Sequence, residues 1–311
     1  KEYTLICDCA VGTPCICGQM ANTWAEAVSY SITNSVNVKV TLLKDWIAKE
    51  NSSYTTSFGE GKGFDYGKII VPKGGNITLD LNGNNIDRNL KQTTTSGHVI
   101  LIYSSTLNII DSQYNSQEML QLANAYEKGV NETIMQVNRG IITGANVPSN
   151  TNSGAIRLSG NDAKLNFYSG IIKDNISGFN GGAIGISDSN ASCVINIYGG
   201  MLLNNKSMYG GAIYVNIGSQ LNFCDGIIIC NEASSYGGGI AVNQAECNIY
   251  GGLLVQNSCL HSYGGAITAT KSSILCVYGG IIKKNNAATW AAGIMIAEQS
   301  HLDLYGGIIT E

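Results

Sequence analysis

The sequence predicts an all-β fold: a right-handed, single-stranded parallel β-helix, a solenoid of about 27 residues per rung with a short N-terminal capping helix. Three observations carry this. The second glycine of "GGAI" and its variants falls at Gly154, Gly182, Gly211, Gly238, Gly265 and, as alanine, Ala292, spaced 28, 29, 27, 27 and 27 residues apart. A second glycine series, Gly140, Gly170, Gly200, Gly226, Gly252, Gly280 and Gly307, keeps step at 30, 30, 26, 26, 28 and 27. Within each period the residues read as three short strands, such as "GGAIYVN", "LNFC" and "GIIICN". Nothing between them is long enough for a crossover helix. Parallel connections within one sheet are nearly always right-handed, which sets the expected hand.

The elements follow in order. Residues 1–22 form a cysteine-rich segment holding Cys7, Cys9, Cys15 and Cys17 as C-x-C-x5-C-x-C. From 23 the chain is expected to form the solenoid with its cap, 23–67. Thr23-Trp24-Ala25-Glu26 reads as a capping box opening a helix whose apolar face is Trp24, Ala27, Val28 and Ile32. Such a helix suits the first rung, which otherwise leaves a bare core and an open strand edge. "KIIVPKGGNITLDLNGNNID" and "HVILIYSSTLNIID" read as the first rungs. Residues 112–137 interrupt the period; "SQEMLQLANAYEK" is helix-compatible and is expected to stand on one face of the coil. At the far end "YGGIITE" stops in mid-rung, so stacking is expected to continue beyond residue 311.

The repeats predict stacks of like residues at the strand spacing of about 4.8 Å. Asn175, Asn205, Asn231, Asn257 and Asn285 each lie five residues after a corner glycine and are expected to form an asparagine ladder. Leu165, Ile195, Leu221, Cys247, Leu275 and Leu302 should form one inward column, and Phe167, Ile197, Phe223, Ile249, Val277 and Leu304 another. Asn166, Asn196, Asn222 and Asn248, between them, should point out.

On these motifs the chain is similar to a known family. The "GGAI" at Gly181–Ile184, Gly210–Ile213 and Gly264–Ile267 resembles the repeats of polymorphic membrane proteins, surface adhesins with right-handed β-helix passengers. Their F-x-x-N partner motif has an aliphatic counterpart in Ile172–Asn175, Leu202–Asn205 and Ile282–Asn285. "ITLDLNGNNID" resembles the early rungs of pectin-lyase-like bacterial surface proteins. The resemblance implies a pectin-lyase-like fold at a cell surface. It leaves activity open, because this architecture hosts enzymes and adhesins alike.

Charge narrows the function. A net charge of −4 without a Lys/Arg cluster gives a nucleic acid or an anionic membrane no attraction, and no apolar run is long enough for a membrane helix. A β-helix enzyme acting on sugars needs carboxylates clustered on neighbouring rungs. The candidates are Asp80, Asp87 and Asp111, with Arg88 nearby. Lys271 and Glu298 share a rung position, where a surface ion pair is expected. His98, His261 and His301 share none, which argues against a metal triad. Aromatic residues are better ordered. Phe179, Tyr209, Tyr236, Tyr263 and Trp290 form one series before the "GGAI" corner; Tyr168, Tyr198, Tyr250, Tyr278 and Tyr305 form a second, broken by Cys224. Tyr209, Tyr236, Tyr263 and Trp290 are the candidate ligand-binding residues, read as a flat strip for a glycan or an extended surface protein.

The four N-terminal cysteines can form two short disulfides or hold zinc, the one cofactor the sequence admits; their tight spacing and a surface location favour disulfides. The expected function is a non-enzymatic, secreted or cell-surface scaffold of adhesin type. A carbohydrate-active enzyme (polysaccharide lyase or glycoside hydrolase) is one alternative; a component of a fibre, assembled end to end or laterally, is the other.

Overall fold

The computed structural model describes residues 1–5, 19–48, 64–65, 68–95, 97–129, 139–148, 153–186 and 192–310. They form a parallel β-solenoid of about 8 turns and roughly 28 residues per turn, with two helices. Cys7, Cys9, Cys15 and Cys17 lie outside the described residues.

From Asn146 onward each turn uses four sheets, one more than the sequence predicts; the earlier described turns use three. The first has ten strands, from Glu2–Leu5 to His301–Leu304; the second has nine, from Trp46–Ile47 to Ile308–Thr310. The fourth has nine, from Phe64–Asp65 to Ile294–Ile296. The unpredicted third sheet has six strands, from Asn146–Val147 to Asn286–Ala287. Most of these are too short, and too poor in β-branched residues, to stand out from a turn. The coil also starts earlier than expected: Val38–Leu42 and Trp46–Ile47, within the segment assigned to the cap, already belong to the first and second sheets.

Register follows the predicted stacks. Leu165, Ile195, Leu221, Cys247, Leu275 and Leu302 are mutual partners on neighbouring strands of the first sheet. All but Leu302, on the last described rung, are fully buried. Phe167, Ile197, Phe223, Ile249 and Val277 form the second buried column.

The "GGAI" motif has a steric cause. At Gly210 the backbone sits at φ +65°, and a Cβ would lie 2.0 Å from the carbonyl oxygen of Ile213. At Gly211 a Cβ would lie 2.1 Å from the carbonyl oxygen of Gly238 on the next rung. So the first glycine makes the corner and the second lets two rungs close to hydrogen-bonding distance, with Gly211 N–H donating to Gly237 O at 3.0 Å. At the last described corner Ala291 and Ala292 replace both, and no described rung lies above Ala292 to meet its Cβ.

The cap is helix α1, Gln19–Asn34. It begins before Thr23, so that residue lies inside the helix and the expected capping box does not open it. The upstream Gln-Met-Ala run favours helix strongly enough to extend it. Trp24, Ala27 and Val28 are fully buried over the first rungs, Ile32 packs beside them, and Trp24 Nε1 donates to Ile70 O at 2.9 Å.

The insertion carries helix α2, Ser116–Glu127, with Asn115 as N-cap accepting from Gln117 N–H. Its Met119, Leu122 and Ala123 bury the outer face of the second sheet, which is apolar at Ile171, Met201, Leu203, Ile227, Ile229 and Val255. Glu127 then ties the helix to the coil through Lys283 at 2.8 Å and Lys284 at 3.0 Å.

Candidate functional site

The early-rung carboxylates are structural staples. Asp80 and Asp111 are buried. Asp80 Oδ1 accepts from the backbone N–H of Asn82 and of Ser112, both at 3.0 Å, and Oδ2 pairs with Lys39 at 3.1 Å. Asp111 Oδ1 accepts from Gly83 N–H at 2.8 Å and Gln113 N–H at 3.2 Å; Oδ2 accepts from Gly140 N–H at 2.8 Å. Each carboxylate stitches the turn of its own rung to that of a neighbour. Asp87 does the same locally, accepting from Asn89 N–H at 2.7 Å. Arg88 is buried as well, close enough to His98 to act on its charge.

His98 is buried, and its ring is held well below its ordinary pKa first by burial, then by Lys68, Arg157 and Arg88. Among the described residues no group of three or more His, Cys, Asp or Glu is arranged to hold a metal ion. Lys271 and Glu298 line a shallow polar groove with Gln244, Ser272 and Gln299. They form no ion pair among the described residues. Tight turns hold both at positive φ, 56° and 52°.

The aromatic series is real and differs from a flat strip. Tyr209 stacks on Tyr236 at 5.5 Å between ring centroids, Tyr236 on Tyr263 at 5.9 Å and Tyr263 on Trp290 at 5.2 Å, with interplanar angles of 12°, 22° and 26°. Phe179 meets Tyr209 edge-on. Because successive rungs set the rings one above another, each ring covers its neighbour's face. The strip therefore presents ring edges and phenol hydroxyls along the axis, and its last described ring is Trp290. The three tyrosines are half-buried. Burial, then the neighbouring Tyr236, raises the Tyr209 pKa, which keeps its hydroxyl protonated as a donor.

The asparagine ladder is inward and complete. Asn175, Asn205, Asn231 and Asn257 are fully buried, and each donates Nδ2–H to Oδ1 of the next at 3.0 Å, ending on Asn285. The sequence reading missed that the outward asparagines form a ladder too. Asn166, Asn196, Asn222 and Asn248 each donate Nδ2–H to Oδ1 of the preceding rung, at 2.7 to 3.1 Å, starting from Asn108. Their identical place in "LNFY", "INIY", "LNFC" and "CNIY" was the available signal. Asn248, expected to face out with the rest, is nearly covered, held by Glu246 at 2.7 Å.

No helix among the described residues is long and apolar enough to cross a membrane. Comparisons with protein-family models, with curated proteins and with solved structures found no match.

Proposed function

We propose that the chain is a non-enzymatic scaffold, secreted or displayed at a cell surface, that binds an extended glycan or a surface protein along the strip Tyr209, Tyr236, Tyr263 and Trp290. The observation that carries this reading is the ladder itself. Four consecutive rungs place aromatic edges, phenol hydroxyls and an indole at a single corner of the coil. Such residues give rigid contact area with polar handles, the composition of a binding strip. The early-rung carboxylates support the non-enzymatic side, since their oxygens are committed to backbone N–H groups and to Lys39. The "GGAI" corners agree with a right-handed, pectin-lyase-like passenger of adhesin type.

A glycan-array screen beside a polysaccharide-degradation assay tests this. Binding without released sugar is expected, with capture abolished by the Tyr236→Ala/Tyr263→Ala pair while the coil stays folded on its untouched aliphatic columns. Sugar release that disappears on changing Asp80 or Asp111 would refute it.

A further inference from the structure

A different face, the outside of the first sheet, carries two columns in register. One is the outward asparagine ladder from Asn108 to Asn248. Two residues further along each strand stand Tyr168, Tyr198, Cys224, Tyr250, Tyr278 and Tyr305. Tyr168 stacks on Tyr198 at 4.8 Å; Tyr250 stacks on Tyr278, and Tyr278 on Tyr305, at 4.9 Å. These five rings are 43% to 67% exposed, more than Tyr209, Tyr236 and Tyr263 of the other ladder. At such exposures they leave about 500 Å² of tyrosine surface, in two runs flanking Cys224, within the range of a monomer's largest exposed patch. Helix α2 covers the second sheet, and no described element covers this one.

We propose that this face is a homotypic interface, on which two copies of the chain pack first sheet against first sheet as a reversible antiparallel dimer. Three features select a second copy over other occupants. The first is period: both columns repeat with the rungs, about 4.8 Å, and another parallel in-register sheet has the same repeat, whereas a polysaccharide or a helix drifts out of step. The second is composition: amide ladders beside stacked aromatics are what two sheets bury when they zip together dry. The third is charge. Lys164 stands near one end of the face and Glu246, with Asp303 paired to His301, towards the other, so two-fold antiparallel pairing brings Lys164 within about one rung, about 4.8 Å, of the other copy's Glu246.

Size sets the strength. Seven strands of four or five residues, from Thr106–Ile110 to His301–Leu304, make up the face. At about 3.3 Å per residue and about 4.8 Å per strand, two such faces bury roughly 1,000 Å² in total, the lower edge for specific complexes. An area of that size belongs to weak, transient complexes, so the dimer is expected to be reversible at micromolar concentrations. It uses a different face from the proposed ligand strip and stands apart from that reading.

Sedimentation equilibrium of the 311-residue chain under reducing conditions, from about 1 to about 500 μM, is the test. A reversible dimer is expected. Tyr198→Lys/Tyr250→Lys should weaken it about a hundredfold, the scale of losing two aromatic anchors, and Tyr236→Ala/Tyr263→Ala should leave it unchanged. Hydroxyl-radical footprinting of the unmodified chain checks the face without any variant: Tyr250 and Tyr278 should gain protection as concentration rises, and Tyr103, on the fourth sheet, should not. A monomer throughout the range, a dimer indifferent to the lysine pair, or a footprint that ignores concentration would each overturn the proposal. So would a polysaccharide held by monomers on this face.

Discussion

Replacing Asn231 by alanine probes the buried ladder at its centre. Asn231 Oδ1 accepts from the backbone N–H of Asn205 at 2.9 Å and from its Nδ2 at 3.0 Å. Asn231 Nδ2 donates to the carbonyls of Leu202 at 2.9 Å and Ile229 at 3.0 Å, and to Asn257 Oδ1 at 3.0 Å. Alanine keeps the two backbone bonds of position 231, its N–H to Asn257 Oδ1 and its carbonyl accepting from Ser258 N–H, and loses every side-chain bond. The Asn205 side chain still reaches Ile172 O, but the Asn205 backbone N–H loses its acceptor in a fully buried site. One orphaned buried donor costs about 1–3 kcal/mol, and the lost donations to Leu202 and Ile229 add about 1 kcal/mol, so about 3 kcal/mol is expected in all. A solenoid's stability is a sum over rungs and their interfaces, so the loss is local and a single global midpoint understates it. Hydrogen exchange read by mass spectrometry resolves it: peptides covering 202–207 and 228–233 should exchange about a hundredfold faster. Asn222→Ala, on the half-exposed outer ladder, should cost less than about 1 kcal/mol because water replaces the lost amide. Equal effects at 231 and 222, or none at either, would refute the account of the ladder as buried and obligatory.

Other outcomes follow from the same geometry. Gly238→Ala should unfold its corner, since the new Cβ lies 2.3 Å from Gly265 O and 2.5 Å from the Ser258 backbone; limited proteolysis between 230 and 270 reads this. Burial works to raise the Glu127 pKa, but Lys283 and Lys284 outweigh it and leave the carboxyl below its ordinary 4.5. Its contribution is therefore present above that value and is lost as pH falls through the lowered one, so α2 should become protease-sensitive in acid, and Glu127→Gln should show the same sensitivity at neutral pH. Burial, then Tyr209, pushes Tyr214 up to about 12. Its preference for the neutral form stabilises the fold fully below pH 10 and fades between pH 10 and about 12, a window that ultraviolet phenolate titration should resolve as one late-ionising tyrosine. Burial raises the Cys247 thiol most, so iodoacetamide should spare it in the native chain and label it after denaturation. Intact mass before and after reduction decides the four N-terminal cysteines: a gain of two hydrogens per bridge is expected, and an unchanged mass with bound zinc would reverse the preference.

The repeat was legible because its causes are local and recur. Gly211 must lack a Cβ, Asn231 must carry an amide and Leu221 must be apolar for reasons set by the rung directly above or below. The same reasons act again some 26 to 30 residues on, so the sequence by itself determined the solenoid, its period, the inward columns and the buried ladder. What it could not determine was orientation and cover. Tyr236 and Tyr250 look alike in sequence; rung stacking turns both edge-out, yet corner packing half-buries the first and leaves the second open. Asp80 and Asp111 look like an acid pair until the turns at Asn82, Gly83 and Ser112 close around them. The apolar outer face of the second sheet reads as core until α2, brought back by an insertion the period does not encode, lies across it. These are contacts between elements distant in sequence and different in kind, so no residue carries a local mark of them, and only the tertiary structure decides them.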